Sequence, residues 1–321
     1  MQTRHCRFAK KLIRYYIRCS IFAENRLSLC VIICLKNLTI GSLVMKNIVA
    51  EDFNSSMCRL VGSYCFVRKE FAEIFRQLES QGMLRENGPC EMIWSTHTKF
   101  VLKVPLPDGR FAAFKTYRKI NKPLKFALRP SPCGFEALNF QLIEKCGIPV
   151  VKLLAVGDER SFFKLKNAFI ITEFADGFSD GRDFMPGNCR GNDPELCNEF
   201  IRRNICWMAR LHDAGIMHLG FTPANFLYKV AEKRDENGNA LDLKWIDVAS
   251  CRRMPRWLIN KNIANDMQQL FRFFEFESSR LLEFIELYCA ARKSRVPAAG
   301  KILSALEKIL AARRAAKAAK K

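Results

Sequence analysis

Apolar residues recur every three or four positions in two stretches of the chain, which is the spacing of one buried helix face. In residues 69–81 these positions are Phe71, Ile74, Phe75 and Leu78. In residues 195–214 they are Phe200, Ile201, Ile205, Met208 and Leu211, and Gly215 follows. The pattern therefore predicts two amphipathic helices. We also predict a helix over residues 135–147, ended by Gly147, and further helices from about Asn265 onward.

Short apolar runs elsewhere in the chain are typical of strands. Residues 91–94 and 99–106 precede a Pro-Asp-Gly turn whose glycine, Gly109, tolerates a positive φ, and residues 110–119 continue the pattern. After the helix at 135–147, two more apolar runs cover residues 150–157 and 168–177. The order predicts an α+β fold in which a small antiparallel sheet comes first and a mainly helical part follows.

Composition adds limits to this picture. Of 321 residues 49% are hydrophobic, which excludes a wholly disordered chain, and the chain has no uncharged apolar run of 18 residues that would predict a membrane span. Its 14 cysteines lie mostly in apolar stretches, and we find no signal peptide, so we predict free core thiols in a reducing cytosol. With four histidines and no second cysteine pair at ligand spacing, we do not expect structural zinc.

The net charge of +21 is concentrated at the two ends. Residues 1–44 carry +7 and residues 292–321 carry +9, which leaves +5 for the middle of the chain. We interpret 1–44 as a basic extension or a misassigned start, and 292–321 as a basic Ala/Lys-rich helix or tail. This tail can be a capping helix, a contact with an anionic membrane or a nucleic-acid contact. No aromatic basic platform or helix-turn-helix pattern accompanies it, which favours the membrane over nucleic acid.

Four separated polar residues have one joint explanation. Lys115 ends an apolar strand, Glu136 lies on the next helix, Asn225 lies in a loop seven residues after His218, and Asp247 ends a later strand. Phosphoryl transfer from ATP needs a cation on the phosphates, a carboxylate that holds this cation, and oxygen ligands for magnesium. The four residues supply these groups in the chain order of a kinase.

Several sequence phrases carry a resemblance to a known family. They are FAAFKTYRK, FEALNFQLIEKCGIPVVKLLAVG, FIITEF, LHDAGIMHLGFTPANFLY and LKWIDVASCRR, spread over roughly residues 90–290. In these phrases the chain resembles the lipopolysaccharide core kinases, the heptose and Kdo kinases of Gram-negative bacteria, which are small relatives of protein kinases.

The resemblance implies a two-lobed, protein-kinase-like fold, with a first lobe at 45–175 and a helical lobe at 176–291. It also implies ATP and Mg²⁺ between the lobes, with Lys115 paired to Glu136 and the metal on Asn225 and Asp247. A hinge at Glu173, Phe174 and Ala175, reaching to Asp176, is expected to contact adenine. The implied acceptor is a sugar hydroxyl of the lipopolysaccharide inner core, phosphorylated at the cytoplasmic face of the inner membrane.

The chain departs from the kinase pattern at Gly220. In kinase loops of this type the residue two positions after the histidine is an aspartate that orients the acceptor hydroxyl and accepts its proton, a contribution worth about 10²–10⁴-fold. Glycine cannot accept a proton. Three readings follow: a pseudokinase that binds nucleotide, an active kinase in which another group replaces the base, or a base role for His218. Asp213 is a poor replacement because it ends a long helix.

The segment expected to cover the phosphates is also unusual. Residues 94–101 contain no glycine, so we predict that the backbone amides of residues 95–98 cover the phosphates.

Overall fold

The computed structural model describes residues 46–51, 53, 63–117, 120, 126, 129–161, 164–188, 190 and 193–319. The predicted basic extension at 1–44 lies outside the described residues. Within the described ranges, no helix is both long enough and apolar enough to cross a membrane.

A seven-stranded sheet forms the first lobe. Its strands are β1 (Lys46–Ala50), β2 (Tyr64–Arg68), β3 (Glu91–Ser95), β4 (Lys99–Pro105), β5 (Phe111–Tyr117), β6 (Leu153–Ser161) and β7 (Lys164–Glu173). Their order across the sheet is β1-β2-β6-β7-β5-β4-β3, and only the β1–β2 pair is parallel. The sequence did not predict β1 and β2, because β2 is a short, almost continuously buried run that shows no alternation.

The β6–β7 hairpin differs in its bounds from the predicted strands at 150–157 and 168–177. Asp158 and Arg160 interrupt the apolar pattern, yet they lie inside β6. Their side chains form a fully buried ion pair at 2.9 Å, so the two charges compensate each other within the core. A pattern of apolar residues cannot reveal such a pair.

Helix α1 (Ala72–Ser80) covers the outer face of this sheet, after a 3₁₀ turn at Lys69–Phe71. The structure confirms the helix predicted at 69–81. Its buried side chains include Phe75 and Leu78, which pack in one apolar cluster with Phe100 and Phe114 of the sheet.

Helix α2 (Pro132–Lys145) packs against β6 and β7 on the other side. The Ser131 side chain accepts a hydrogen bond from the Gly134 amide, and Pro132 occupies the first turn, where a missing amide does no harm. The helix therefore begins three residues before the predicted start. Gly147, with φ of 68°, follows its end as predicted.

The second lobe is mainly helical. It contains α3 (Pro194–Asp213), α4 (Arg256–Phe271), α5 (Ser278–Ala291) and α6 (Ala299–Ala318), with short strands β8 (Ser179–Asp180), β9 (Ile216–Met217), β10 (Phe226–Val230), β11 (Leu241–Trp245) and β12 (Arg252–Arg253). The five apolar residues predicted to face the core from α3 are all buried. The α+β architecture, with a sheet lobe and a helical lobe, is thus confirmed, and the lobe boundary at 175/176 stays a prediction.

Helix α4 corrects one expected boundary. It begins at Arg256 and not near Asn265, because Ile259 and Ile263 already occupy its buried face. Basic and polar residues between them hid this part of the apolar stripe. Helix α6 packs on α4 and α5 through Ile302, Leu306 and Leu310, all buried, whereas residues 311–319 are exposed.

Candidate active site

Lys115 lies at the centre of the cleft between the sheet and the helical lobe. Burial alternates along β5, so Ala112, Phe114 and Thr116 point into the core and Lys115 points into the cleft. The Lys115 ammonium lies 3.0 Å and 2.9 Å from the two carboxylate oxygens of Glu136, and 3.1 Å from Oδ1 of Asp247. One cation therefore joins residues from β5, α2 and the segment after β11.

The electrostatics of this triad favour the charged forms of Lys115 and Asp247, whereas burial raises the pKa of Glu136 above its usual range. Burial alone would lower the pKa of Lys115, but the carboxylates of Glu136 and Asp247 outweigh it and hold that pKa above its usual range. Burial would raise the pKa of Asp247, and the nearby Lys115 charge instead holds it below its usual range. Glu136 is 3% exposed, whereas the side chain of Asp247 is 48% exposed. Asp247 is thus an ionised carboxylate that faces solvent and can bind a cation.

Asp247 has an uncommon backbone conformation. Its φ of 50° and ψ of 52° lie in the left-handed region, which non-glycine residues seldom occupy and which is found more often at functional sites. The preceding Ile246 donates its amide to the Asn225 carbonyl at 2.9 Å. On α2, three residues after Glu136, Asn139 donates to the carbonyls of Val248 and Cys251. Hydrogen bonds therefore fix the backbone on both sides of Asp247.

Asn225 is oriented by the same loop that contains Gly220. Its Nδ2 donates to the Gly220 carbonyl at 2.8 Å, which leaves the amide oxygen for the cleft that Asn225 lines. Ser250 lies on the other side of Gly220. A Cβ built on Gly220 would approach the Ser250 hydroxyl to 2.7 Å, and this hydroxyl donates to the His218 carbonyl at 2.7 Å. Ser250 thus fills space that an aspartate at position 220 would need.

His218 does not face the cleft. Its ring is fully buried, with Phe221, Phe226 and Trp245 packed edge-on at centroid distances of 5.5, 6.2 and 5.3 Å. Burial lowers its pKa, and neither ring nitrogen has a hydrogen-bond partner among the described residues. The ring is therefore neutral and packs as an apolar group, and we do not assign it proton transfer.

A buried carboxylate on α4 holds the backbone of the same loop. Asp266 accepts the amides of His218 and Leu219 at 3.0 and 2.9 Å, and it also contacts His212 Nε2 at 3.1 Å. His212 in turn contacts the Tyr288 hydroxyl at 2.7 Å. This network connects α3, α4 and α5 to the loop that carries Gly220.

Asp213 lies outside the cleft. It accepts hydrogen bonds from Arg292, from the Lys293 amide and from Ser294. These contacts tie the end of α3 to the residues after α5, which supports the expectation that Asp213 does not replace the missing aspartate.

The cleft has a volume of about 420 Å³, within the range of small-molecule sites. Seven residues predicted for the site line it: Lys115, Glu136, Glu173, Phe174, Ala175, Asn225 and Asp247. Its apolar surface comes from both lobes, with Val101 and Ala113 from the sheet and Leu227 and Ile246 from the helical lobe. Such paired apolar surfaces suit a flat aromatic base.

The segment after β7 supplies polar groups at the edge of the apolar region of the cleft. The Glu173 and Phe174 amides are bonded to the carbonyls of Lys152 and Phe111, whereas the Ala175 amide has no acceptor among the described residues. Lys244 holds the Glu173 carboxylate at 3.0 Å. A backbone donor at Ala175 is therefore free to meet a base in the cleft.

The β3–β4 turn offers fewer amides than predicted for residues 95–98. The Thr96 amide donates to the Lys99 carbonyl at 2.8 Å, and the Thr96 hydroxyl accepts the amides of Thr98 and Lys99. Thr96 thus accepts or forms the hydrogen bonds of these amides within the turn, and the turn contains no glycine. Lys99 lines the cleft and lies 4.8 Å over the Trp94 ring.

Three residues around the site were not predicted as such. Asp266 gave a signal, because it is a charged residue within the apolar stripe of α4, next to Met267 and three after Ile263. Asn139 gave a weaker one as a polar residue on the buried face of α2. Ser250 gave none, since only the three-dimensional structure brings it to Gly220.

The fold and the cleft together define a two-lobed kinase, and comparisons with known proteins identify the family. The model of the lipopolysaccharide kinase (Kdo/WaaP) family matches residues 115–288, a segment that begins at Lys115 and includes Glu136, Asn225 and Asp247. The chain belongs to this family. It is a kinase-type phosphotransferase by membership.

One solved structure agrees with this fold. The structure of WaaP in complex with acyl carrier protein is 18% identical, with a TM-score of 0.56 over 80% of this chain and 98% of that chain. A Rio2 kinase from Chaetomium thermophilum, solved with ADP, Mg²⁺ and phosphoaspartate, is 13% identical, with a TM-score of 0.43 over 76% of this chain and 75% of that chain. The BubR1 kinase domain is 14% identical, with a TM-score of 0.40 over 70% and 79%. No curated protein sequence matches the chain.

Proposed function

We propose that this protein transfers the γ-phosphate of ATP, in a Mg²⁺-dependent reaction, to a heptose or Kdo hydroxyl of lipopolysaccharide. The observation that carries the proposal is the triad of Lys115, Glu136 and Asp247 in one cleft with Asn225. Family membership supports the acceptor class. On this proposal the enzyme works in the cytoplasm of a Gram-negative bacterium, at the inner membrane.

The donor set fits the proposed metal. Mg²⁺ prefers hard oxygen ligands, and the cleft offers the half-exposed Asp247 carboxylate and the Asn225 amide oxygen, whose orientation the Gly220 carbonyl fixes. When bound, Mg²⁺ neutralises charge on the phosphate oxygens. Asp247 and Asn225 would hold it.

The remaining roles follow from position and charge. Lys115, fixed by Glu136, binds the α- and β-phosphates as a cation. The adenine ring packs between the apolar surfaces of the two lobes, and the Ala175 amide at the hinge donates to it. Acceleration then comes mainly from positioning and electrostatic stabilisation, which supply most of the catalysis in phosphoryl transfer.

The acceptor hydroxyl receives no help from residue 220, because Gly220 has no proton acceptor. Of the three carboxylates that line the cleft among the described residues, Asp247 is the most exposed, since Glu136 is buried and paired with Lys115, and Glu173 is held by Lys244 at the hinge. We therefore propose that the proton leaves to a group of the substrate or to Asp247, with a rate below that of kinases that carry the loop aspartate.

Gly220 also favours a second candidate function, a pseudokinase that binds nucleotide without efficient transfer. The test is transfer of labelled γ-phosphate from ATP to lipopolysaccharide by the natural chain and by Asp247→Asn. Label on the sugar core that is lost in Asp247→Asn supports the kinase. Mg²⁺-dependent ATP binding without any labelled acceptor supports the pseudokinase.

A further inference from the structure

The cleft contains a second cation besides Lys115. Among the described residues that line the cleft, the basic side chains are those of Lys99 and Lys115. Lys115 contacts the carboxylates of Glu136 and Asp247, so protein groups already compensate its charge. Lys99 has no carboxylate partner among the described residues. Its charge is therefore available to an anion that enters the cleft.

Aromatic rings hold the side chain of Lys99 at the cleft. Its ammonium lies 4.8 Å from the centre of the Trp94 ring and 6.0 Å from the centre of the Tyr117 ring. Tyr117 lies directly opposite Lys99 in the β4–β5 pair. Ring faces attract a cation without neutralising its charge, and Lys99 is only half-buried. An anion can therefore reach the ammonium where the rings hold it.

The register of the sheet places Lys99 beyond Lys115, as seen from the hinge. The second residue of β5 pairs with Glu173 at the hinge, Lys115 follows three residues later, and Tyr117 two residues after that. Lys99 lies opposite Tyr117 and two residues before the partner of Lys115, so the two lysines are diagonal neighbours on one face. Such neighbours are about 7–8 Å apart at the backbone, and two lysine side chains can converge from there on adjacent phosphate groups.

The charge of Lys99 also acts on the carboxylates of the triad. Burial would raise the pKa of Asp247, and the charge of Lys99 adds to that of Lys115 in holding this pKa below its usual range. Burial raises the pKa of Glu136, and the charges of Lys115 and Lys99 both oppose this rise. Lys99 is therefore close enough to act on phosphate groups that bind at the triad.

The backbone of the β3–β4 turn is poorly placed for the same task. Residues 95–98 do not line the cleft, whereas Trp94 and Lys99, on either side of them, do. The amides of Thr96, Thr98 and Lys99 all donate hydrogen bonds within the turn. Protein kinases cover the phosphates with a glycine-rich turn at such a position. Here the group that faces the cleft is the cation that follows the turn.

We propose that Lys99 is a second phosphate-binding residue, which contacts the terminal phosphate of ATP in place of the backbone amides of a glycine-rich loop. Lys115 binds the α- and β-phosphates, and Lys99, which lies farther from the hinge, meets the γ-phosphate. An ammonium at this place also stabilises the charge on the phosphoryl oxygens during transfer. This proposal rests on the proposed function, since it assigns a further residue to the same nucleotide.

The test is calorimetric titration of the full chain with ATP and with ADP, each in the presence of Mg²⁺. Lys99→Met keeps the length of the side chain and its packing on the rings but removes the charge. We expect its Kd for ATP to rise at least about tenfold, because a charge-assisted hydrogen bond is lost. Its Kd for ADP should change by less than about twofold, since ADP lacks the terminal phosphate. Lys166→Met, a change at an exposed lysine of the same sheet, is the matched control with both constants unchanged.

Further outcomes separate the charge of Lys99 from its packing. Lys99→Arg keeps the charge and should retain most of the affinity for ATP. The proposal is overturned by an unchanged Kd for ATP in Lys99→Met, by equal weakening of ATP and ADP, or by Lys99→Arg binding ATP as weakly as Lys99→Met. If the natural chain binds neither nucleotide, the proposed function fails together with this proposal. Binding without phosphate transfer contradicts only the kinase function, because the comparison of ATP with ADP still tests Lys99.

Discussion

At the scale of single residues, the site differs from a simple lysine–glutamate pair. Lys115 also contacts Asp247, so the residue proposed to bind phosphate also contacts the proposed metal ligand. Mg²⁺ held by Asp247 would compete with Lys115 for this carboxylate. The exposure of Asp247, against the burial of Glu136, indicates which of the two carboxylates can exchange partners.

The first prediction concerns Gly220 and Ser250. Gly220→Asp alone places its Cβ against the Ser250 hydroxyl, so Ser250 must rotate and lose its bond to the His218 carbonyl. We expect little gain from this variant, whereas Gly220→Asp/Ser250→Ala gains about 10²-fold or more in kcat through general-base help. Single-turnover transfer measures both, with Ser250→Ala alone as control. Equal rates in the double variant and in Ser250→Ala would show that another group already serves as base.

The second prediction concerns His218 and pH. Folding lowers the pKa of His218, so the unfolded chain binds the proton more readily than the folded chain. The free energy of unfolding is therefore unaffected by His218 above the unfolded pKa of about 6.5, and it decreases as the pH drops below that value. His218→Phe suits the aromatic surroundings and should reduce this loss by up to about 1.4 kcal/mol per pH unit. Urea unfolding at pH 7.5 and 5.5 measures it, with His97→Phe in the exposed β3–β4 turn as control. The same acid loss in His218→Phe and the natural chain contradicts the assignment.

At the scale of secondary-structure elements, the loop that carries Gly220 depends on α4. Asp266 is buried and accepts two backbone amides of that loop. Burial would raise the pKa of Asp266, but the hydrogen bond from His212 lowers it below its usual range, so the residue stays ionised. A helix of the second lobe therefore fixes the backbone at the reaction site.

Removing this charge should weaken the fold as well as the site. We expect Asp266→Asn to lower the free energy of unfolding by about 3–5 kcal/mol, the usual cost of breaking a buried charged network. Urea denaturation measures this, and Asp242→Asn on the exposed side of β11 is the matched control. A loss below about 1 kcal/mol would mean that the network does not hold the loop.

Regular spacing of apolar residues determines which elements are predictable from the sequence. The amphipathic faces of α1 and α3 and the strand–turn–strand pattern of β4 and β5 were predictable, because each buries apolar residues at a regular spacing. The strand at Tyr64–Arg68 and the extension of β6 through Asp158 were not, since the first is almost uniformly buried and the second contains an ion pair in the core. Lys115, Glu136, Asn225 and Asp247 were predictable by chemistry and order, whereas Ser250 depends on contacts across 30 residues.

At the scale of the whole molecule, most of the excess positive charge lies outside the part of the chain that forms the two lobes. The excess positive charge lies mainly at the two ends, and of these the structure describes α6. Its first half is part of the core through Leu306, while residues 311–319 are exposed and contain Arg313, Arg314 and Lys317. We propose that this second half contacts an anionic membrane surface.

Truncation after Leu310 tests this role of α6. The core contacts of the helix remain, so we expect unchanged thermal stability but weaker binding to anionic phospholipid vesicles, by roughly 1 kcal/mol per basic residue removed. Sedimentation with vesicles at low and physiological salt measures it. Equal vesicle binding by both chains contradicts the proposal, and equal loss of binding to DNA would favour the nucleic-acid alternative.

The most direct test of the proposed nucleotide site is calorimetric titration of the protein with ATP, with and without Mg²⁺. We expect Mg²⁺-dependent binding of one ATP to the natural chain and to Lys166→Met, a change at an exposed lysine of the same sheet, and loss of binding in Lys115→Met. Asp247→Asn should abolish the Mg²⁺ dependence. Unchanged, Mg²⁺-dependent binding in both Lys115→Met and Asp247→Asn would show that the nucleotide and metal do not bind to this triad.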